Sequence, residues 1–233
     1  QGKNPKFGPW RDTHMQIEGP ATKALQISFL KDWYWANRDF PPVTWESQPV
    51  GSETILILPT GPSDRHQACT LFVDSAINLA QTRIWIASPY FVPDEPTLAA
   101  LKMAVLRGVD VRIILPANPD HLIVYLCSFS YYTELQTAGI KLYRYRTGFM
   151  HQKVILIDEA LAGVGTVNLD NRSFLLNFEI MAYVTRGEFV HQVEAMLERD
   201  LAESDLVDYS EYAKRSWPSK LVIQSARLVA PLQ

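Results

Sequence analysis

Three short apolar runs, each ending at a proline, restrict what this chain can fold into more than any other feature. They are residues 53–59 (ETILILP), 83–89 (RIWIASP) and 109–116 (VDVRIILP). Such continuous runs predict strands buried on both faces, since half-exposed strands alternate apolar with polar residues. Residues 67–80 and 97–107 carry apolar side chains at three- and four-residue spacing, which predicts amphipathic helices between the strands. The alternation predicts an α/β fold with a mixed sheet flanked by helices.

A second group of strands is predicted further along the chain. After a predicted helix at residues 122–137, strands are expected over residues 140–145, 153–158, 161–165 and 179–184, followed by a helix over residues 188–202. The pattern of the chain thus changes here to closely spaced strands.

A weak internal repeat suggests how the chain is organised. Residues 12–19 (DTHMQIEG) and 179–187 (EIMAYVTRG) each give an acid, a short strand and a glycine, then an amphipathic helix ending in Asp and a bulky apolar residue. The repeat favours two tandem copies of one module, although chance similarity of two strand–helix units is the alternative. The predicted organisation is a first-module tail at 1–36, a Pro-containing linker at 37–52, a second module at 53–208 and a C-terminal tail at 209–233.

The motif that carries chemistry is HQKVILID at residues 151–158, followed by GTVN at residues 165–168. Alternate side chains of a strand share a face, so His151 and Lys153 are expected to point the same way. Thr166 and Asn168 form a second pair of this kind, whereas Asp158 has the opposite parity and is expected to lie apart.

This grouping of side chains suits a phosphodiester. An imidazole attacks phosphorus to give a covalent intermediate, while the ammonium of Lys153 and the amide of Asn168 stabilise charge on the phosphate oxygens without a metal. A histidine nucleophile also needs an acceptor at its other ring nitrogen. Glu179, at the start of the next predicted strand, is the candidate for that role.

The motif resembles the H-x-K-x4-D and G-(S/G/T)-x-N signature of the phospholipase D superfamily. The runs GTVNLDNRSFLLNFE, IWIASPYFVPDE and WRDTH resemble cardiolipin synthases in particular, so the likeness covers residues 10–201. It implies a phospholipase D-like sandwich with His151 catalytic, Lys153 and Asn168 binding phosphate, and Thr166 at a position where Ser is common. It further implies that Glu179 orients the histidine and that Asp158, the motif aspartate, has a mainly structural role.

The first copy is represented only by its end. The resemblance makes Asp12 the orienting acid of that copy and places His14 near the module interface, but the copy's own His and Lys are not among these residues. Family members use two such histidines, one as nucleophile and one as general acid. The chain alone therefore holds half a site, and an upstream module is its expected partner.

The resemblance implies a phosphatidyltransferase that joins two phosphatidylglycerols into cardiolipin and glycerol, with no cofactor and no metal. The alternatives are hydrolysis or nucleic-acid cleavage by the same superfamily chemistry, and an inactive half-enzyme; a homodimer supplying the second histidine is a further possibility. A net charge of −3 argues against a nucleic-acid partner. Tyr90, after the strand at 83–89, and Arg144 are candidate contacts to the lipid.

The resemblance implies a bacterial cell membrane as the location, with this part on the cytoplasmic side or peripheral, and a membrane anchor upstream of Gln1. Within residues 1–233 no apolar run reaches the ~20 residues that span a bilayer. Cys69 and Cys127 stand in apolar surroundings without metal-ligand spacing, which predicts buried thiols.

Overall fold

The computed structural model describes residues 8–228 and 230, so residues 1–7, 229 and 231–233 of the two predicted terminal segments lie outside it. Its strands are β1 (Trp10–Arg11), β2 (Thr54–Thr60), β3 (Arg83–Ala87), β4 (Phe91–Val92), β5 (Asp110–Pro116), β6 (Lys141–Tyr145), β7 (Phe149–Met150), β8 (Val154–Ile157), β9 (Leu161–Gly165), β10 (Leu169–Asp170), β11 (Glu179–Thr185) and β12 (Ser204–Leu206). Its helices are α1 (Thr22–Asn37), α2 (Ala68–Leu79), α3 (Glu95–Leu106), α4 (Leu122–Ser130), α5 (Tyr132–Ala138), α6 (Asn171–Leu175), α7 (Glu188–Ala202), α8 (Ser210–Ala213) and α9 (Trp217–Arg227).

Eight strands form the main sheet in the order β12-β6-β5-β3-β8-β9-β11-β2. The strands β3, β5 and β6 pair in parallel, whereas β8, β9, β11 and β2 continue the sheet by antiparallel pairing. The predicted mixed sheet flanked by helices is thereby confirmed. The parallel half is the part with helical crossovers, and the antiparallel half is the part with closely spaced strands.

The two faces of the sheet are covered by different helices. On one face, Ile84, Ile86 and Ile113 belong to a large apolar core shared with α2, α3, α4 and α5. On the other face, Trp85 and Leu156 pack against α7. Because neighbouring residues of one strand thus enter opposite cores, the strands read as continuous apolar runs in the sequence.

The predicted helix at residues 122–137 is divided into α4 and α5 at Tyr131. The hydroxyls of Ser128 and Ser130 donate to the carbonyls of Tyr125 and Cys127, three residues earlier in each case. Such bonds compete with the helical pattern and favour a bend at this point.

The other helices give no membrane span. Among the residues that the structure describes, every helix is too short or too polar to cross a bilayer. The final helix α9 packs on α4 and buries Ile223 against the core.

Candidate active site

A short parallel pairing brings an acid from the start of the chain to the motif histidine. Strand β1 lies beside β7, and the amide of His151 donates to the carbonyl of Arg11 at 2.8 Å. The next residue after β1, Asp12, therefore lies against the imidazole, with its Oδ2 atom 3.2 Å from Nδ1 of His151. An acceptor at Nδ1 favours the tautomer in which Nε2 carries the free lone pair.

The amine of Lys153 lies against the same imidazole. Its Nζ is 3.1 Å from both Nδ1 and Nε2 of His151 and also contacts the His151 carbonyl. Burial lowers the pKa of Lys153 to about 8, although the carboxylates of Asp12 and Glu179 act in the opposite direction. The cluster therefore combines an oriented imidazole with an ammonium that loses its charge as the pH rises through about 8.

The pair opens into a cleft of about 450 Å³. Its polar lining includes Asp12, His14, His151, Lys153 and Thr166, while its apolar lining is Met15, Ile17, Leu25, Val164, Ile180 and Ala182. The structure thus brings together five residues that the sequence analysis singled out. The apolar side continues from the reacting groups toward α1.

Asn168 lies beside this cleft rather than in it. It lines a small neighbouring cavity of about 30 Å³ with Val154 and Ile155. Its backbone amide donates to the Ser173 hydroxyl at 3.1 Å, its side chain bonds to Asp170, and its Oδ1 atom is buried without a hydrogen-bond partner among the described residues. The structure does not give Asn168 a hydrogen bond to His151 or Lys153.

Thr166 follows β9 directly and is held against β11 by its hydroxyl. The Oγ1 atom accepts from the amide of Ile180 at 2.8 Å, and the amide of Thr166 donates to the carbonyl of the same residue at 2.9 Å. The hydroxyl of a Ser could make the same contact with Ile180.

Gly165 is required by close packing of two strands. A Cβ at this position would clash with the carbonyl oxygen of Ile180 and lie 2.7 Å from Cα of Met181. We expect Gly165→Ala to lower the free energy of unfolding by about 1–3 kcal/mol, because backbone atoms cannot move aside as a flexible side chain does. Chemical denaturation measures this, and Gly51→Ala, where a Cβ meets nothing within 4 Å, is the control. Equal stability of the two variants would contradict the account.

Glu179 does not occupy the place that the sequence analysis gave it. Its Oε1 atom accepts from Asn177 at 2.9 Å and from Ser173 at 3.1 Å, and Asp12 takes the position at Nδ1 of His151. The reason is topological, because Glu179 begins β11, which is separated from the motif strand β8 by β9. Glu179 instead lines an adjoining cleft of about 380 Å³, which shares Thr166 with the first.

Asp158 directly follows β8, at the end away from His151, and its side chain stabilises the sheet. Its carboxylate accepts the backbone amides of Gln81, Thr82 and Arg83 at 2.8–2.9 Å. Burial alone would raise the pKa of this carboxyl, but these hydrogen bonds hold it below its ordinary value. The backbone φ of Asp158 is 52°. Its hydrogen bonds link the end of β8 to the start of the neighbouring strand β3.

Tyr90 and Arg144 lie away from the histidine cleft and have partners within the fold. The Tyr90 hydroxyl donates to Asp120 at 2.7 Å. Arg144 donates to the carbonyl of Pro116 and to the hydroxyls of Ser128 and Tyr132, at 2.8–3.1 Å. Both line one small cavity of about 10 Å³, which has room for a single water molecule. Their expected contact with a lipid headgroup stays a prediction.

Sequence reasoning missed several residues next to the site. The ring of Trp10 lies 5.0 Å from that of His151. Arg11, Gln152 and Asp200 form a hydrogen-bonded group beneath the pair. One sequence feature could have revealed this group: Gln152 lies at a position where the alternation of a strand directs its polar amide into the core.

The fold and this cluster define a phospholipase D-like domain. Phosphatidylserine synthase from Haemophilus influenzae superposes with a TM-score of 0.62 at 16% identity, over 95% of this chain and 56% of that chain. Nuc, a phospholipase D family member from Salmonella typhimurium, gives a TM-score of 0.55 at 19% identity, over 67% of this chain and 99% of that chain. At these identities the likeness establishes the fold.

Sequence comparison identifies the family to which this phospholipase D-like domain belongs. The family described as "Cardiolipin synthase, PLD-like domain" matches residues 73–201, and the chain belongs to this family. It is 47% identical over 232 residues to cardiolipin synthase A of Pseudomonas fluorescens Pf-5, covering 99% of this chain and 48% of that protein. It is 49% identical over 235 residues to cardiolipin synthase A of Pseudomonas aeruginosa PAO1, with 99% and 47% covered. The chain spans about half the length of these curated relatives.

Proposed function

We propose that this chain is the second catalytic half of a phosphatidyltransferase that joins two phosphatidylglycerols into cardiolipin and releases glycerol. The observation that carries the proposal is the cluster of Asp12, His151 and Lys153 at the head of a largely apolar cleft. The relatives named cardiolipin synthase A support the choice of substrate.

The proposed chemistry runs in two displacements. In the first displacement, Nε2 of one histidine attacks phosphorus, the bond from phosphorus to the oxygen of the headgroup glycerol breaks, and the other histidine gives that oxygen a proton. In the second displacement, a headgroup hydroxyl of another phosphatidylglycerol loses its proton to this other histidine. Its oxygen attacks phosphorus, and the bond from phosphorus to Nε2 of the first histidine breaks. Lys153 stabilises charge on the phosphate oxygens, and we propose that Asn168 assists from its neighbouring position. His151 fills one of the two histidine roles.

The other histidine is proposed to come from an upstream module of the same protein. The proposed boundaries are residues 1–36 for the tail of that module, 37–52 for the linker, 53–208 for the second module and 209–233 for the C-terminal tail. Asp12, from the first segment, holds the second module's histidine. Asp12 and Glu179 occupy corresponding positions in the internal repeat. We therefore propose that the carboxylate of Glu179 accepts a hydrogen bond from the upstream histidine, as that of Asp12 does from His151.

The lining of the cleft supports a lipid over a nucleic acid. Lys153 is the only lysine or arginine among the described residues that line it, whereas nucleic-acid grooves present several cations to successive phosphates. The apolar side chains of Met15, Ile17 and Leu25 offer a path for the acyl part of a phospholipid. We therefore propose that the protein works at a membrane surface.

The product formed from phosphatidylglycerol tests this function. Purified full-length protein added to phosphatidylglycerol vesicles is expected to release glycerol and form cardiolipin in equal amounts, because each transfer frees one glycerol. The two products are followed by enzymatic glycerol assay and by lipid mass spectrometry. Phosphatidic acid as the sole product would establish a hydrolase instead, and full turnover by this 233-residue chain as a monomer would contradict the need for a second histidine.

A further inference from the structure

The contact between Asp12 and His151 joins residues that are 139 positions apart, yet β1 and β7 contribute only two residues each to the strand pairing beside it. So short a pairing fixes the direction of the backbone but not the rotation of either side chain. The structure contains a second set of contacts directly beneath the pair. We infer that Arg11, Gln152 and Asp200 are positioning residues that set the geometry of the Asp12–His151 pair, an inference that rests on the proposed function.

The base of this network is an ion pair between β1 and α7. Arg11 donates to Asp200 through Nε at 2.8 Å and through Nη2 at 3.0 Å, so the guanidinium and the carboxylate meet in parallel. The Asp200 side chain is only 6% exposed. This bidentate geometry fixes orientation as well as distance. It ties β1, the strand that directly precedes Asp12, to a helix of the second module.

Gln152 connects this ion pair to the motif. It stands between His151 and Lys153 in the chain and is 0% exposed. Its Nε2 atom donates to Oδ2 of Asp200 at 2.6 Å, and its Oε1 atom accepts from the hydroxyl of Thr13. With both ends of the amide held, the side chain has one orientation. The backbone that presents the two site residues is therefore fixed from below.

The remaining contacts close the network around Asp12. Nη1 of Arg11 donates to the carbonyl of Asp12 at 2.8 Å and to the hydroxyl of Thr13 at 3.2 Å. The Arg11 carbonyl in turn accepts from the amide of His151. The two neighbours of Asp12 are thus both tied to the motif, Arg11 to the backbone of His151 and Thr13 to the side chain of Gln152. The amide of Thr13 also donates to Oδ1 of Asp12 at 3.0 Å, which leaves Oδ2 directed at Nδ1 of His151.

A purely stabilising role fits this arrangement less well. A buried ion pair contributes little net stability compared with apolar residues of similar volume, because two charges must be desolvated. Apolar packing of α7 on the sheet by Val193 and Leu197 already supplies the stability at this place. What apolar residues cannot supply is a fixed direction for the Asp12 carboxylate. The network is therefore assigned to orientation.

Two variants of the full-length protein test the inference. Asp200→Asn keeps the shape but removes the charge that binds Arg11, and Gln152→Met removes both amide bonds at similar volume. We expect each to lower kcat about 10- to 100-fold with KM unchanged, since small displacements of reacting groups cost this much and the network does not touch substrate. Ser204→Ala is the control, because its hydroxyl donates to the backbone carbonyl of Asp200 and not to the carboxylate. It is expected to keep the wild-type kcat.

A second readout needs no substrate. The ring nitrogens of His151, labelled with nitrogen-15 and assigned with His151→Asn, report the tautomer directly. Wild type is expected to hold the proton at Nδ1, and both variants are expected to populate the two tautomers. Variants with the wild-type tautomer and kcat would overturn the inference, and Gln152→Met decides if Asp200→Asn does not fold. Absence of cardiolipin with wild type would reject the proposed function, while the tautomers would still decide the positioning role.

Discussion

Asparagine in place of His151 is expected to lower cardiolipin formation by the full-length protein by about 10³-fold or more, because either role of the imidazole is lost. Asparagine retains an N–H donor for the carboxylate of Asp12, which lies 3.2 Å from Nδ1 in the wild type. The surrounding fold is therefore expected to persist. Initial rates on phosphatidylglycerol vesicles measure the effect, and thermal unfolding shows that the variant is folded.

The matched control for this change is His191→Gln. His191 lies on the exposed side of α7, outside the cleft. Its side chain is 56% exposed, and its Nδ1 atom lies 3.8 Å from the carboxylate of Glu194. It is expected to keep the wild-type rate. Retention of more than about a tenth of the activity by His151→Asn would remove this imidazole from the reaction.

Methionine in place of Lys153 is expected to lower kcat/KM about 10²- to 10³-fold, since the cation that meets the phosphate oxygens disappears. The charge also predicts a pH dependence. Because burial lowers the pKa of Lys153 to about 8, the ammonium is present below that pH and is lost as the pH rises through it. The kcat/KM of the wild type, which reports the free enzyme, is therefore expected to fall on the alkaline side of pH 8.

Lys153→Arg separates charge from the other effects of substitution. A guanidinium keeps its proton above pH 12, so this variant is expected to lose the alkaline decline even if its rate is lower. Lys141→Met is the control, because Lys141 pairs with Asp110 at 2.7 Å on an exposed part of the sheet. It should keep the decline at about pH 8. An unchanged alkaline profile in Lys153→Arg would show that another group titrates there.

Much of the fold could be predicted from the sequence because its central strands are buried on both faces. The runs that contain β3 and β5 are mostly apolar, and the structure places their apolar side chains in two cores. The division between α4 and α5 was not predictable in the same way. It depends on Ser128 and Ser130 bonding back to the helix, and a serine in a sequence does not reveal whether its hydroxyl turns inward.

The candidate site was predictable as far as it is local. His151 and Lys153 stand two residues apart, so the strand period alone predicts that they meet, and their side chains lie 3.1 Å apart. The acid that contacts His151 was not predictable in this way, because it lies far from the motif in the sequence. Asp12 reaches the histidine through a two-residue strand that has no periodicity to detect, and Glu179 was the nearer acid in the chain but lies two strands away.

The stereochemistry at phosphorus tests the central claim of a histidine-bound intermediate most directly. Phosphatidylglycerol made chiral at its phosphate with oxygen isotopes is converted by the full-length protein, and the configuration of the cardiolipin is read by phosphorus NMR. Each in-line displacement inverts the centre, so two displacements through an imidazole predict net retention. Net inversion would mean that the second lipid attacks phosphorus directly, and His151 and its upstream counterpart would then have no covalent role.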